Sequence, residues 1–264
     1  MLKIPRITVF LILVLLYHCP PARSQEVDPE LFQSSRIISV EISRKLLKKV
    51  YSDGGYPKTL HCGCVFDKIQ QVYPANCDRA GEDSGSNGDK KDKEILGWVH
   101  GIPASSFAKS LKCWNETLCR REDGSAFKGA GCCRVVSHKY KTREADMHNL
   151  FPAIAAAGEE EDDDALAAAG FGGMDEYRFC RKDGKPALAP VKEVQGDLAR
   201  AYFYMAFQYK FPIPEELEEK LRQWHLKDPP DNWEEERNSA IEIAQGNRNP
   251  FIDQPELVER VRDF

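Results

Sequence analysis

A leader-like start followed by eight cysteines constrains the fold of this chain more than any other feature. Lys3 and Arg6 stand ahead of the apolar run Ile7–Tyr17, which is followed by Pro20, Pro21 and the triplet Ala22-Arg23-Ser24. This is the anatomy of a removable secretory signal, with a small residue on each side of Arg23. The apolar run is too short to cross a hydrocarbon core as a helix, so a signal peptide over 1–24 is expected rather than an anchor. The mature chain is then secreted or periplasmic, with no membrane partner. Its removal takes Cys19 and leaves Cys62, Cys64, Cys77, Cys113, Cys119, Cys132, Cys133 and Cys180. An even number in an exported chain predicts disulfides, whose pairing the spacing leaves open. Zinc is the competing use of paired thiolates. Neither Cys62-Gly63-Cys64 nor the adjacent Cys132-Cys133 has the two-residue gap common in zinc knuckles, and an oxidising compartment favours bridges. The segment 113–133 is expected to be a stapled, loop-rich excursion.

Composition decides the class of fold. With 42% hydrophobic and 10% aromatic residues the 264-residue chain can fill a core, which excludes wholesale disorder and collagen-like or coiled-coil architecture. Setting aside Lys3, Arg6 and Arg23 leaves 34 basic against 42 acidic residues, a formal net charge of -8. Binding to a polyanion must therefore rest on a local basic surface, because bulk attraction has the wrong sign.

Ile37, Ile38, Val40, Ile42, Leu46, Leu47 and Val50 recur at helical spacing and predict an amphipathic helix that ends before Asp53-Gly54-Gly55. Residues 78–93 are almost devoid of apolar side chains and rich in turn formers, as in an inserted surface loop. A short strand is expected over Glu94–His100, closing at Gly101 and Pro103. In 155–173, six consecutive carboxylates precede an alanine-rich run. Like charges repel and large side chains are scarce, so a solvated linker is favoured over a helix N-terminus. Leu198, Ala201, Tyr202, Phe203, Met205, Ala206 and Tyr209 form a thick apolar face, as on a buried helix halted before Pro212. Glu215–Trp224 reads as another helix, and a third runs from an Asp231 cap to a stop at Gly246.

Several strings occur together and in order. They are His61-Cys62-Gly63-Cys64, Trp98-Val99-His100-Gly101-Ile102-Pro103-Ala104, Cys113-Trp114, Cys132-Cys133, and Glu144-Ala145-Asp146-Met147-His148-Asn149-Leu150-Phe151-Pro152. Ala199-Arg200-Ala201-Tyr202-Phe203-Tyr204-Met205, Trp233-Glu234 with Arg237, and Gln245-Gly246-Asn247-Arg248-Asn249-Pro250-Phe251 complete the set. In these strings the chain resembles the bacterial endonuclease I family of exported, sequence-nonspecific nucleases. The resemblance implies one α+β domain over 25–264, with a ββα-metal core surrounded by helices and stapled by disulfides. It also implies phosphodiester hydrolysis in DNA, with RNA left open, by a histidine base, magnesium or another divalent cation, and a phosphate-holding arginine. His100 matches the base, and an imidazole suits that task because its reference pKa lies near neutrality. Glu144 matches a carboxylate that supports the site. For His148 and Asn149 structural hydrogen bonding is the better reading, and His61, His138 and His225 have no constellation around them.

Three positions depart from the family pattern. The residue before the base, a metal-binding glutamate in the family, is Val99; the metal-binding asparagine falls at Gly158; and the arginine falls at or near Ala130. Valine and glycine side chains carry no oxygen for a hard cation. Glu159, Glu160 and Glu161 follow directly and are the candidate substitutes for the lost metal ligands, and Lys128 or Arg134 for the arginine. Two readings follow: a metal-dependent nuclease, or a catalytically inactive nuclease fold that binds nucleic acid or another surface. A third, a cysteine-rich interaction protein, draws on the acidic balance and the sequon Asn115-Glu116-Thr117 but leaves the ordered strings unexplained.

Overall fold

The strand expected at Glu94–His100 forms, and it is the middle strand of a three-stranded antiparallel sheet. The computed structural model describes residues 32–33, 35–53, 58–60, 63–67, 71–72, 94–155, 177–182, 185–187 and 192–264. The signal peptide of 1–24, the loop of 78–93, residues 156–173 of the acidic segment, and His61, Cys62 and Cys77 lie outside the described residues. Helix α1 (Val40–Asp53) precedes β1 (Gln71–Val72) and β2 (Glu94–His100). Then come α2 (Ala104–Ala108), α3 (Lys112–Asn115), β3 (Cys119–Arg120), β4 (Ala126–Phe127), α4 (Ala130–Val136) and α5 (His138–Glu144). A 3-10 turn at Met147–Asn149 leads into β5 (Leu150–Ala155), with β6 (Tyr177–Lys182) and β7 (Lys185–Ala187) beyond. The C-terminal layer is α6 (Gln195–Tyr209), α7 (Glu215–Lys227), α8 (Asn232–Gln245), α9 (Pro250–Asp253) and α10 (Leu257–Arg260). The architecture is α+β.

Strand alternation divides the core in two. Val99 pairs with Phe151 and both face a large cluster built on α6, with Leu198, Tyr202 and Phe203. Trp98, Leu96 and Leu150 face a second cluster that contains Leu47 and Tyr51 of α1 and Trp233 of α8. Successive side chains on a strand point to opposite faces, so the sheet is covered on both sides: by α6 on one, and by α1 and α8 on the other.

The helix boundaries follow from their caps. Asp231 accepts from the Glu234 amide, and Gly246 closes α8 in the left-handed region at φ 93°. The buried helix α6 ends at Lys210, itself left-handed at φ 56°, before the prolines are reached. In the cysteine-rich segment, Cys113 bonds Cys133 and Cys119 bonds Cys132, while Cys64 belongs to a further bridge. The stapled excursion is therefore real, but it consists of two short helices and the β3–β4 hairpin rather than loop alone. Closing loops of this length contributes about 3 kcal/mol per bridge through the unfolded chain.

Arg200, on α6, is fully buried. Its guanidinium grips both carboxylate oxygens of Glu234 on α8 and donates to the Asp228 carbonyl at 2.6 Å. A Cβ on Gly196 would collide with that carbonyl and with the guanidinium, so the approach of α6 to the α7–α8 connection requires glycine there. Removing one member of a buried pair strands the other charge. Arg200→Met is expected to cost about 3–5 kcal/mol in urea unfolding, and the double variant Arg200→Met with Glu234→Leu to recover most of it. A double variant no more stable than the single would show that the pair is not what couples these helices.

Candidate active site

His100 ends β2, on the face shared with Trp98 and Leu150 and half-buried beside Phe107, whose ring centroid is 6.2 Å away. Its Nε2 lies 2.8 Å from the main-chain oxygen of Glu144 at the end of α5. A carbonyl only accepts, so Nε2 carries the ring proton and Nδ1 keeps a lone pair. That is the tautomer a base needs, held by the backbone and not by a carboxylate.

Glu144 is thus brought to His100, as the resemblance implies, but through its carbonyl. Its buried carboxylate is occupied elsewhere: Oε1 accepts from Arg134 Nε at 2.7 Å and from the Tyr140 hydroxyl at 3.1 Å. Glu144 therefore meets the His100 ring through its main chain alone.

The turn after α5 is held from several sides. Ser43 of α1 donates to the Ala145 carbonyl, and Arg237 of α8 donates to the carbonyls of Met147 and Leu150, each at 2.9 Å. Asp146 is fully buried. It accepts from the His148 amide and Gln245 Nε2 on one oxygen, and from the hydroxyls of Tyr204 and Tyr209 at 2.8 and 2.6 Å on the other. Burial first, and the Asp146 charge second, hold both phenols well above their ordinary range, which keeps them donors. Gln245 also accepts from the Met147 amide, and Asn247 joins it to Tyr204. Asn149 clamps the loop beyond the base, its side chain taking the Ile102 amide at 2.7 Å and giving to the Ile102 carbonyl at 3.0 Å. The structural reading of Asn149 holds. That of His148 holds as well: the ring is buried against Tyr204, with Nε2 3.3 Å from the Asn247 carbonyl.

Residue type alone did not single out Asp146, Tyr204, Tyr209, Gln245 or Asn247. All lie within the quoted strings or beside them, yet the bonds that join them across the fold span 43 to 99 residues of sequence. His138 stays on the surface and His225 packs in the helical layer, its Nε2 on the Pro255 carbonyl.

Two of the positions that the resemblance marks as departures are apolar here in structure as well as in type. Val99 is 7% exposed, in the cluster beneath α6, and Ala130 is buried at the start of α4. Gly158, Glu159, Glu160 and Glu161 lie outside the described residues. Among the described residues no group of three or more His, Cys, Asp or Glu side chains is arranged to hold a metal ion. With Val99 turned into the core and the Glu144 carboxylate engaged by Arg134 and Tyr140, these residues do not fit a divalent cation beside His100. Lys128 donates to the Asn115 carbonyl at 3.2 Å, while Arg134 bonds Glu144 directly.

Gly101 makes the geometry possible. A Cβ there would lie 2.9 Å from both Leu198 and Phe151, tighter than packed carbon atoms allow. Gly101→Ala is expected to force the chain after His100 away from α6, lowering both the unfolding midpoint and any activity that uses His100. Wild-type values for both would refute this account of the turn.

Burial lowers the pKa of both His148 and His225 to about 4. An unfolded imidazole titrates near ~6.5, so between these values the unfolded chain binds protons that the native state refuses. The associated stability is complete above that range and is lost as the pH falls towards 4. The urea midpoint should drop between pH 7 and 5, and His225→Gln should flatten the drop. A slope unaffected by that substitution would contradict the assignment.

Residues 44–256 match the family model described as Endonuclease I. The chain is 30% identical over 236 residues to an extracellular deoxyribonuclease of Aeromonas hydrophila, covering 83% of this chain and 90% of the relative. It is 31% identical over 223 residues to a periplasmic deoxyribonuclease of the same organism, covering 78% and 82%. A shorter similarity, 40% over 91 residues, links it to an extracellular ribonuclease of Bacillus amyloliquefaciens and covers 27% of this chain and 31% of that protein.

Proposed function

The chain belongs to the endonuclease I family, and from that premise we propose that it is an exported nuclease that hydrolyses phosphodiester bonds in DNA with His100 as general base. The observation that carries the reading is the bond from Nε2 to the Glu144 carbonyl, which commits the ring to the tautomer with a basic Nδ1. The extracellular and periplasmic deoxyribonucleases among its relatives support export and DNA as substrate. The ribonuclease similarity supports RNA as a further one. The antiparallel β2–β5 pair, with His100 at its end, supports reading this region as the strand half of a ββα-metal core.

In this mechanism Nδ1 takes a proton from a water molecule as its oxygen attacks phosphorus. The imidazolium that forms is stabilised by the Glu144 carbonyl acting on Nε2–H. The P–O bond opposite the attacking oxygen breaks, and the leaving oxygen takes a proton from solvent. The clamp of Asn149 on Ile102 and the Asp146 network hold the base still during the transfer. None of these steps draws on a metal ion. The carboxylates of Glu159, Glu160 and Glu161 are the groups of this chain through which magnesium or a similar cation would act, and a metal titration tests them.

His100→Ala is expected to slow plasmid cleavage by about 100-fold or more, the usual worth of a general base, with the fold retained by circular dichroism. A second reading, a nuclease fold that binds nucleic acid without cutting it, is favoured by the burial of Val99 and Ala130. It prevails if pure wild-type protein leaves DNA intact across a magnesium and manganese titration yet retards it in chelator. Val99→Glu would place a carboxylate in the apolar cluster under α6, and is expected to lower the melting temperature without accelerating cleavage. Gain of magnesium-dependent cutting in that variant would show that the strand end can turn this position outward.

A further inference from the structure

We infer that the outer faces of α1 and α8 form a self-complementary surface on which a second copy of this chain docks across a two-fold axis. The two helices lie side by side and run in opposite directions. Tyr51, near the end of α1, meets Trp233 at the start of α8 with ring centroids 5.0 Å apart, and the Arg36 amide, just before α1, donates to the Gln245 carbonyl at the end of α8. Leu47 and Tyr51 of α1 and Trp233 and Ile241 of α8 all turn into the same core cluster. The opposite faces are therefore left together at the surface, and isoleucines stand on them. Ile243 is 86% exposed, Ile42 52% and Ile38 44%. All three belong to the end of the helix pair where Arg36 meets Gln245, and large apolar side chains gathered in the open mark an interaction site.

Charge identifies the occupant. Lys45, Lys48 and Lys49 are exposed along α1, and Glu235 and Glu236 along α8. None of these five takes part in an ion pair among the described residues. Counted from the Tyr51–Trp233 contact, Lys49 and Lys48 lie two and three residues back along α1, and Glu235 and Glu236 two and three residues on along α8. In the same way Ile42 lies nine residues back and Ile243 ten residues on. Because the helices are antiparallel, the lysines stand level with the glutamates and Ile42 with Ile243. An open groove on α8, lined by Glu236, Ala240 and Ile243, follows the same line. A two-fold axis running between the helices and parallel to them carries α1 of the second copy onto α8 without changing its level. Lysine then meets glutamate at one end and isoleucine meets isoleucine at the other, twice over. A partner of uniform charge is repelled by one helix or the other, whereas a copy of this surface matches both.

Each helix of 14 residues is about 21 Å long, which puts the face at the small end of specific interfaces and makes the dimer reversible on dilution. The test is sedimentation velocity of the exported protein over a range of protein and salt concentrations. A species of twice the monomer mass is expected to grow with protein concentration and to recede with added salt. Ile243→Asp should leave monomer at every concentration. Lys48→Glu with Lys49→Glu, and separately Glu235→Lys with Glu236→Lys, should each abolish self-association, because like charges then face each other. Mixed together, these two variants should form a heterodimer, since an acidic pair of helices then meets a basic pair. All the substituted side chains are exposed, so each variant should keep the wild-type circular dichroism. A wild-type protein that stays monomeric throughout overturns the proposal and leaves the face to a different protein or to solvent. Dimers that survive Ile243→Asp use another face, and a mixture of the charge variants that stays monomeric refutes the pairing of α1 with α8; either result also overturns it.

Discussion

The buried carboxylate of Asp146 is the constraint on which the rest of the site depends. An ionised carboxylate without partners is among the costliest groups to remove from water, and this one is rendered tolerable by four donors drawn from its own turn, α6 and α8. The two tyrosines and the glutamine reach it only when the helical layer has docked on the end of the sheet. The turn between α5 and β5 is therefore specified by tertiary contacts. Because Glu144 lies two residues before Asp146 and hands its carbonyl to His100, the orientation of the imidazole is inherited from that docking.

The cysteine-rich segment complements this arrangement. The strands of β3 and β4 have two residues each, and α4 exposes Val135 and Val136. So little apolar area is covered there that hydrophobic burial alone gives weak support. The bridges Cys113–Cys133 and Cys119–Cys132 pin α3, the hairpin and α4 together. They fix the helix that carries Arg134 relative to α5, which carries Glu144. An oxidising compartment is a requirement of this construction.

Much of the fold was legible in the sequence because its signals are local. The closure of β2 at Gly101 and Pro103, the Asp231 and Gly246 caps of α8 and the apolar face of α6 each depend on residues within a few positions of one another. The end of α6 was less legible: Pro212 marked the limit, yet the helix stops at Lys210, whose left-handed backbone no residue-type rule requires. His100 and Glu144 were recognisable from the strings around them. What Glu144 does was not, because a glutamate in a motif suggests its carboxylate, whereas the main-chain oxygen does the holding.

The sequence by itself determined a disulfide-bridged α+β chain of the endonuclease I family, with His100 at the position that the resemblance gives to the base and with Val99, Ala130 and Gly158 at positions where it places functional groups. Only the tertiary structure decided that the bridges pair 113 with 133 and 119 with 132, that Val99 faces α6 while His100 turns the other way, and that one glutamate serves both an imidazole and a guanidinium. The physical reason is range. Periodicity, caps and motifs are properties of neighbouring residues, whereas the partners of Asp146, Glu144 and Arg200 are set by how helices pack across the sheet, and that packing joins residues as far as 214 positions apart.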